Sequence, residues 1–183
     1  MLAVTSAAEA GRVLQLDPHT IAKLKDTAVL TGPADKPSRR TGVYAHSLET
    51  AAAILPVRVA TGDIAIHLDV FRPDPDHHYG RAYAGWHQEK SLALPVPQRR
   101  QCWAGVWNMD LDNALAHVGN TAAATVSGFI VDVASVAGAG RCQCCGWVVF
   151  DLRDPDPQGV ALYRGRRLPR VRQGSMWTRG PGD

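Results

Sequence analysis

No stretch of this 183-residue chain approaches the ~18–20 consecutive apolar residues that a membrane-spanning helix requires. The first residues, Met1-Leu2-Ala3-Val4-Thr5, carry no basic run ahead of an apolar core, so no secretory leader is expected and the location implied is cytoplasmic. There is no glycine-rich phosphate loop of Walker or dinucleotide form and no G-x-S-x-G elbow, which removes the motif-bearing nucleotide binders and serine hydrolases from consideration. Nor is the chain poor in apolar residues. At 45% hydrophobic and 20% charged it lies near globular averages, which argues against global disorder.

Charge is low overall, at a formal +3, but unevenly spread. Residues 159–183 hold six arginines against one acid, a net +5, leaving the first 158 residues at −2. The arginines are Arg164, Arg166, Arg167, Arg170, Arg172 and Arg179, with Trp177 among them. Guanidinium groups grip phosphates bidentately and stack on bases, and an indole stacks too. The segment therefore reads as an arm for nucleic acid or for an acidic protein surface.

Local signals divide the chain into an N-terminal helical segment (1–56), a mainly β domain (57–164) and an arginine-rich C-terminal tail (165–183). Asp17 followed by Pro18 predicts a helix start, and Gly32-Pro33 its end. Ser47 is the expected cap of a second helix, closed by Pro56, and Asp112 that of a short third one. From Ile64 to Val70 the period becomes two, which predicts a strand with one buried face and with residues 57–60 as its hairpin partner. Further strands are expected over 81–86, 101–107, 121–134, 146–152 and 160–164. Trp103 and Trp107 would share one face of such a strand. Two runs, starting at Asp69 and Phe150, each end in arginine and an alternating Asp/Pro turn, which suggests two similar hairpins. The fold class expected is α+β, with N-terminal helices packed on a mainly antiparallel sheet that curls toward a barrel.

Cysteine is scarce, four in all, yet Cys142, Cys144 and Cys145 fall within four positions. Cys142-Gln143-Cys144-Cys145-Gly146 contains a CxxC spacing followed by glycine, the form of a zinc knuckle. Two thiolates three apart reach one ion, and the glycine lets backbone amides turn toward the sulfurs. A structural zinc site takes four ligands, so the rest must come from Cys144 or Cys102 plus a histidine, with His117, His87 and His77 available. The β-branched and aromatic run after the motif is the wrong setting for a redox pair at a helix N-terminus. The competing reading has these cysteines packed as small apolar residues.

The histidines offer a second pattern. His67 and Asp69 lie two apart on a predicted strand, and with His117 would make a facial metal triad. Asp74, Asp76, His77 and His78 form a loop able to hold a divalent ion. Three classes of function follow. The first is a small non-enzymatic nucleic-acid-binding or accessory protein with a zinc-stabilised hairpin. The second is a metal-dependent enzyme using the His/Asp sets. The third is a structural assembly subunit, as in a phage-like particle; the alanine, glycine and arginine richness fits a GC-rich bacterial or phage genome.

Overall fold

The computed structural model describes residues 3–33, 42–74, 80–169 and 177–179, with the side chains of residues 106, 107 and 177–179 excepted. It is α+β. Near the N-terminus, Ser6 caps α1 (Ala7–Leu14) by accepting from the Glu9 amide. Asp17 then caps α2 (Pro18–Asp26) at the position its sequence indicates, holding the Thr20 amide and hydroxyl. A two-residue pairing of β1 (Val4–Thr5) with β2 (Val43–Tyr44) ties the start of the chain to α3 (Ala45–Ala52). Ser47 is not the cap of α3. Its hydroxyl accepts from the Thr31 amide and so fastens the helix to the preceding segment.

The main sheet, among the described residues, has six strands in the order β10 (Trp177–Arg179), β3 (Ile64–His67), β7 (Thr121–Val126), β8 (Phe129–Arg141), β9 (Val148–Arg153) and β6 (Gly105–Trp107). Every neighbouring pair is antiparallel except β3 with β7, which run parallel. A parallel pair needs a long crossover. Here the crossover carries the small hairpin of β4 (Arg72–Pro73) and β5 (Tyr83–Ala84), then α4 (Gln88–Ala93), α5 (Val96–Ala104) and α6 (Leu111–Leu115). Residues 57–60 are not the hairpin partner of β3. All six residues of β7 are buried, so it is a central strand needing a partner on both edges, and β3 supplies one of them.

Both faces of the sheet are covered. Ile64, Ile66, Ala122, Ala124, Ala134, Val148 and Phe150 share one core with Leu14, Ile21, Leu24 and Trp103. Across the sheet, Ala123 and Val133 pack with Tyr163, and Ala65 with Val59 and Leu168. Tyr163 ends α7 (Pro157–Tyr163), so the strand expected over 160–164 is a helix. The Asp/Pro run before it explains why: Asp156 accepts from the Gln158 and Gly159 amides, and Pro157 opens the first turn. The resemblance between the two Asp/Pro runs therefore ends at the local level, since the first supplies Arg72 and Pro73 to the β4–β5 pairing and the second starts a helix.

Residues 101–104 are also helical, belonging to α5, whose start carries Pro95 and Pro97. Trp103 thus lies on a helix and donates its indole N–H to Asp132 at 3.2 Å, while Trp107 lies on β6, so the two share no sheet face. The third expected helix exists, but Asp110 caps it and Asp112 sits in its first turn. The single strand expected over 121–134 is a hairpin. Ser127 and Gly128 both take positive φ (51° and 89°), the geometry of a two-residue turn whose twist suits the flanking strands.

One feature of this sheet positions the site. β8 is its longest strand, at 13 residues, and its last two residues are exposed. Together with β9 it carries the chain outward to a turn at residues 142–147, with Arg141 opposite Val148 at the top of the ladder.

Candidate metal centre

The turn holds itself in shape. The Cys142 amide donates to the Trp147 carbonyl at 2.7 Å, and the Gly146 amide to the Cys142 carbonyl at 2.8 Å. Arg141 donates a guanidinium N–H to the Gly146 carbonyl at 2.9 Å. Gly146 takes a φ of +74°, a left-handed conformation that glycine adopts without penalty.

This closure gathers three sulfurs. The Sγ atoms of Cys142, Cys144 and Cys145 all lie within 4.8 Å of one another, and such a group can hold a metal ion. Cys142 is buried, whereas Cys144 and Cys145 are exposed. The Cys142 and Cys144 sulfurs are 2.8 Å apart, in hydrogen-bond contact and not joined as a disulfide. A tetrahedral ion with metal–sulfur bonds of ~2.3 Å needs its sulfurs ~3.8 Å apart, so displacing the proton between them requires a shift of about one ångström.

The environment favours one thiolate. The side-chain hydrogen bond from Cys144, followed by the Cys144 amide and the Cys145 side chain and amide, lowers the Cys142 thiol from its ordinary 9.0 to about 6, against a smaller opposing effect of burial. The same bond raises Cys144 to about 11, since it now holds the shared proton. The signs are opposite, as they must be for donor and acceptor of one bond. For Cys142 the stabilisation is complete above its ordinary value and is lost as pH falls through about 6. For Cys144 it is complete below the ordinary value and is lost as pH rises through about 11. Metal ligands must be deprotonated, so affinity should increase as pH rises through the neutral range, with the Cys144 proton among those released. In metal-free protein, ultraviolet thiolate absorbance should show one group titrating near pH 6, and Cys142→Ser should remove it. A first titration only near the ordinary value of 9.0 would contradict the hydrogen bond between the Cys142 and Cys144 thiols.

The structure does not bring Cys102 or His117 to this cluster. Cys102 is buried in the last turn of α5, where its thiol donates to the Gln98 carbonyl, its backbone carbonyl accepts from Gly85, and burial pushes the thiol up. His117 is buried beside the start of β3 with Nδ1 2.7 Å from the Gly62 carbonyl. Its turn bonds to β8 at Val136, and about 20 Å of strand separates Val136 from Cys142. His87 caps α4, accepting from the Lys90 amide. His77 lies outside the described residues.

The His/Asp sets do not converge either, among the described residues. His67 lies 2.7 Å from the Thr125 hydroxyl, and burial, with Lys23 nearby, lowers it to about 4, so it is neutral in the physiological range. Asp69 pairs with Lys23 at 3.2 Å. Residues 75–79, which include Asp76, His77 and His78, lie outside the described residues. A cavity of about 220 Å³ lies beside α3, lined by residues including Thr31, His46, Ile54 and Phe129. None of the sequence-predicted site residues lines it.

The arginine-rich segment is partly docked. Arg164 is exposed, and Arg166 and Arg167 are half-buried. The Arg167 amide donates to Leu55 and its carbonyl accepts from Val57, while its guanidinium lies over the Phe129 ring, 5.9 Å from its centre. The Arg166 carbonyl accepts from Ile130, and the Leu168 amide donates to Gly128. Trp177 and Arg179 belong to β10, in register with Ile66 and Ile64. Arg170 and Arg172 lie outside the described residues.

Sequence spacing alone gave no sign of Arg141 as the residue that latches the turn. A long side chain at the last position of a strand entering a tight turn is the signal available for it.

The molecule is thus an α+β protein with a three-cysteine cluster at the end of a long hairpin. Comparison with protein-family models, with curated proteins and with solved structures finds no significant match to this chain.

Proposed function

We propose that this chain is a non-enzymatic accessory protein that holds one zinc ion through Cys142, Cys144 and Cys145. The convergence of three sulfurs on one turn is the observation that carries this reading. Thiolates select soft or borderline ions, and zinc accepts three or four of them in a tetrahedral shell. Trp147, half exposed beside the cluster, supplies an intrinsic reporter. Zinc added to reduced protein should change its fluorescence with a break at one ion per chain. The change should be absent in Trp147→Phe and in a Cys142→Ser, Cys144→Ser, Cys145→Ser triple variant. A wild-type response preserved in the triple variant would place the ion elsewhere and refute the assignment.

The second half of the reading assigns the arginine-rich segment to nucleic acid. Its support is the concentration of six arginines in residues 159–183. Arg167 is committed to the fold, which leaves Arg164, Arg166, Arg170, Arg172 and Arg179 for phosphate contact, with Trp177 as the stacking residue. Replacing Arg164, Arg166, Arg170 and Arg172 by alanine should weaken nucleic-acid binding at every sequence tested. It should also flatten the log affinity against log salt slope by roughly one unit per lost duplex phosphate contact. An unchanged slope would remove the segment from the interface and favour an acidic protein surface as its partner.

A further inference from the structure

Resting on the zinc reading above, we propose that the ion at Cys142, Cys144 and Cys145 is exchangeable cargo, passed to an acceptor bearing thiols, and not a staple of the fold. Three observations point the same way.

First, the turn and the hairpin below it are held by protein hydrogen bonds and packing. Cys142 and Trp147, Gly146 and Cys142, and Arg141 and Gly146 are joined by protein hydrogen bonds. Below them the β8–β9 ladder continues from Arg141 opposite Val148 down to Ser135 opposite Arg153. Val148, Val149 and Phe150 are buried, so the hairpin is fastened by packing.

Second, all three ligands come from one turn. A structural zinc site joins elements that would otherwise separate, and its binding free energy is then folding free energy. Here the ion joins nothing distant. Because the ligands span only four residues, the unfolded chain can gather them too, and binding to the unfolded state cancels most of the stabilisation that a ligand otherwise confers.

Third, Cys144 and Cys145 face solvent. An ion held by three cysteines would keep a fourth tetrahedral position for another ligand, and the two exposed cysteines are where an incoming group would reach it. An incoming thiol can lose its proton and form a zinc–sulfur bond there. One of the exposed cysteines then releases the zinc and takes up a proton. Repetition moves the ion across with no change of oxidation state, one acceptor thiol deprotonated for each protein thiolate reprotonated. The recipient is therefore a partner that offers at least two cysteine thiols.

The test uses the full chain loaded with isotope-labelled zinc and a synthetic two-cysteine peptide as acceptor, with transfer followed after rapid desalting. Transfer should speed up in proportion to peptide concentration. Amide hydrogen exchange at Val148, Val149 and Phe150 should be the same with and without zinc. A transfer rate independent of peptide concentration, or loss of amide protection at those residues when zinc is removed, would overturn the proposal while leaving zinc binding intact. Failure of the chain to load zinc at all would instead sink the binding assignment, and the cargo role with it.

Discussion

Cys142→Ser should lower zinc affinity by roughly two to three orders of magnitude. The magnitude follows from dividing the ~10–16 kcal/mol of a four-ligand structural site among its ligands, which gives about 2.5–4 kcal/mol for each. A serine hydroxyl stays protonated near neutral pH and offers zinc no anion. Cys142 is also the sulfur whose ionised form the Cys144 and Cys145 amides and side chains favour. Competition against a chromophoric chelator measures the effect. Cys102→Ser is the matched control, because Cys102 lies on α5 bonded to Gln98, and it should leave affinity unchanged. Equal losses in the two variants would mean that global destabilisation, not ligation, explains both.

Tyr163→Phe should cost about 2–6 kcal/mol of stability. The Tyr163 hydroxyl donates to an Asp63 carboxylate oxygen at 2.6 Å and accepts from the Ala60 amide at 2.8 Å. The other Asp63 oxygen accepts from the Thr121 amide at 2.8 Å. Asp63 directly precedes β3 and Thr121 begins β7, so this network fixes the register of the parallel pair and fastens α7 beneath it. Burial pushes the Tyr163 phenol up, and Asp63 reinforces this against the Ala60 amide, so the proton stays in the bond across the physiological range. Removing the hydroxyl takes a partner from the buried Asp63 carboxylate and from the half-buried Ala60 amide, and each orphan costs about 1–3 kcal/mol. The midpoint of thermal unfolding should fall by roughly 10 °C. Tyr83→Phe serves as control, since Tyr83 is partly exposed and stacks its ring on Phe71. A Tyr163→Phe variant within about 0.5 kcal/mol of the parent, the range of ordinary surface changes, would contradict the network.

Different kinds of signal fared differently in the sequence. Capping chemistry was readable where the cap and a proline stood together, as at Asp17 and Pro18, and the same pair at Asp156 and Pro157 marks α7. Reading that second pair as a strand terminator overlooked that aspartate before proline starts a helix as readily as it ends a strand. The parallel pairing of β3 with β7 depends on contacts nearly sixty residues apart, including Asp63 with Thr121, which no local pattern encodes. Residues 101–104 look strand-like by composition, but the prolines at 95 and 97 and the packing of Trp103 against Asp132 decide for helix. At the site, the expected hairpin exists, because three cysteines within four positions of a strand start are gathered by one local turn between β8 and β9. The proposed contributions of Cys102 and His117 required tertiary proximity, and the fold places neither of them in the cluster.

Native mass spectrometry of the reduced full chain, purified without chelator, tests the central claim most directly. One zinc ion per wild-type chain, retained in Cys102→Ser and lost in the Cys142→Ser, Cys144→Ser, Cys145→Ser triple variant, is the expected result. A chain that carries no metal after incubation with zinc, and whose Cys142, Cys144 and Cys145 all react freely with a thiol reagent, would contradict it.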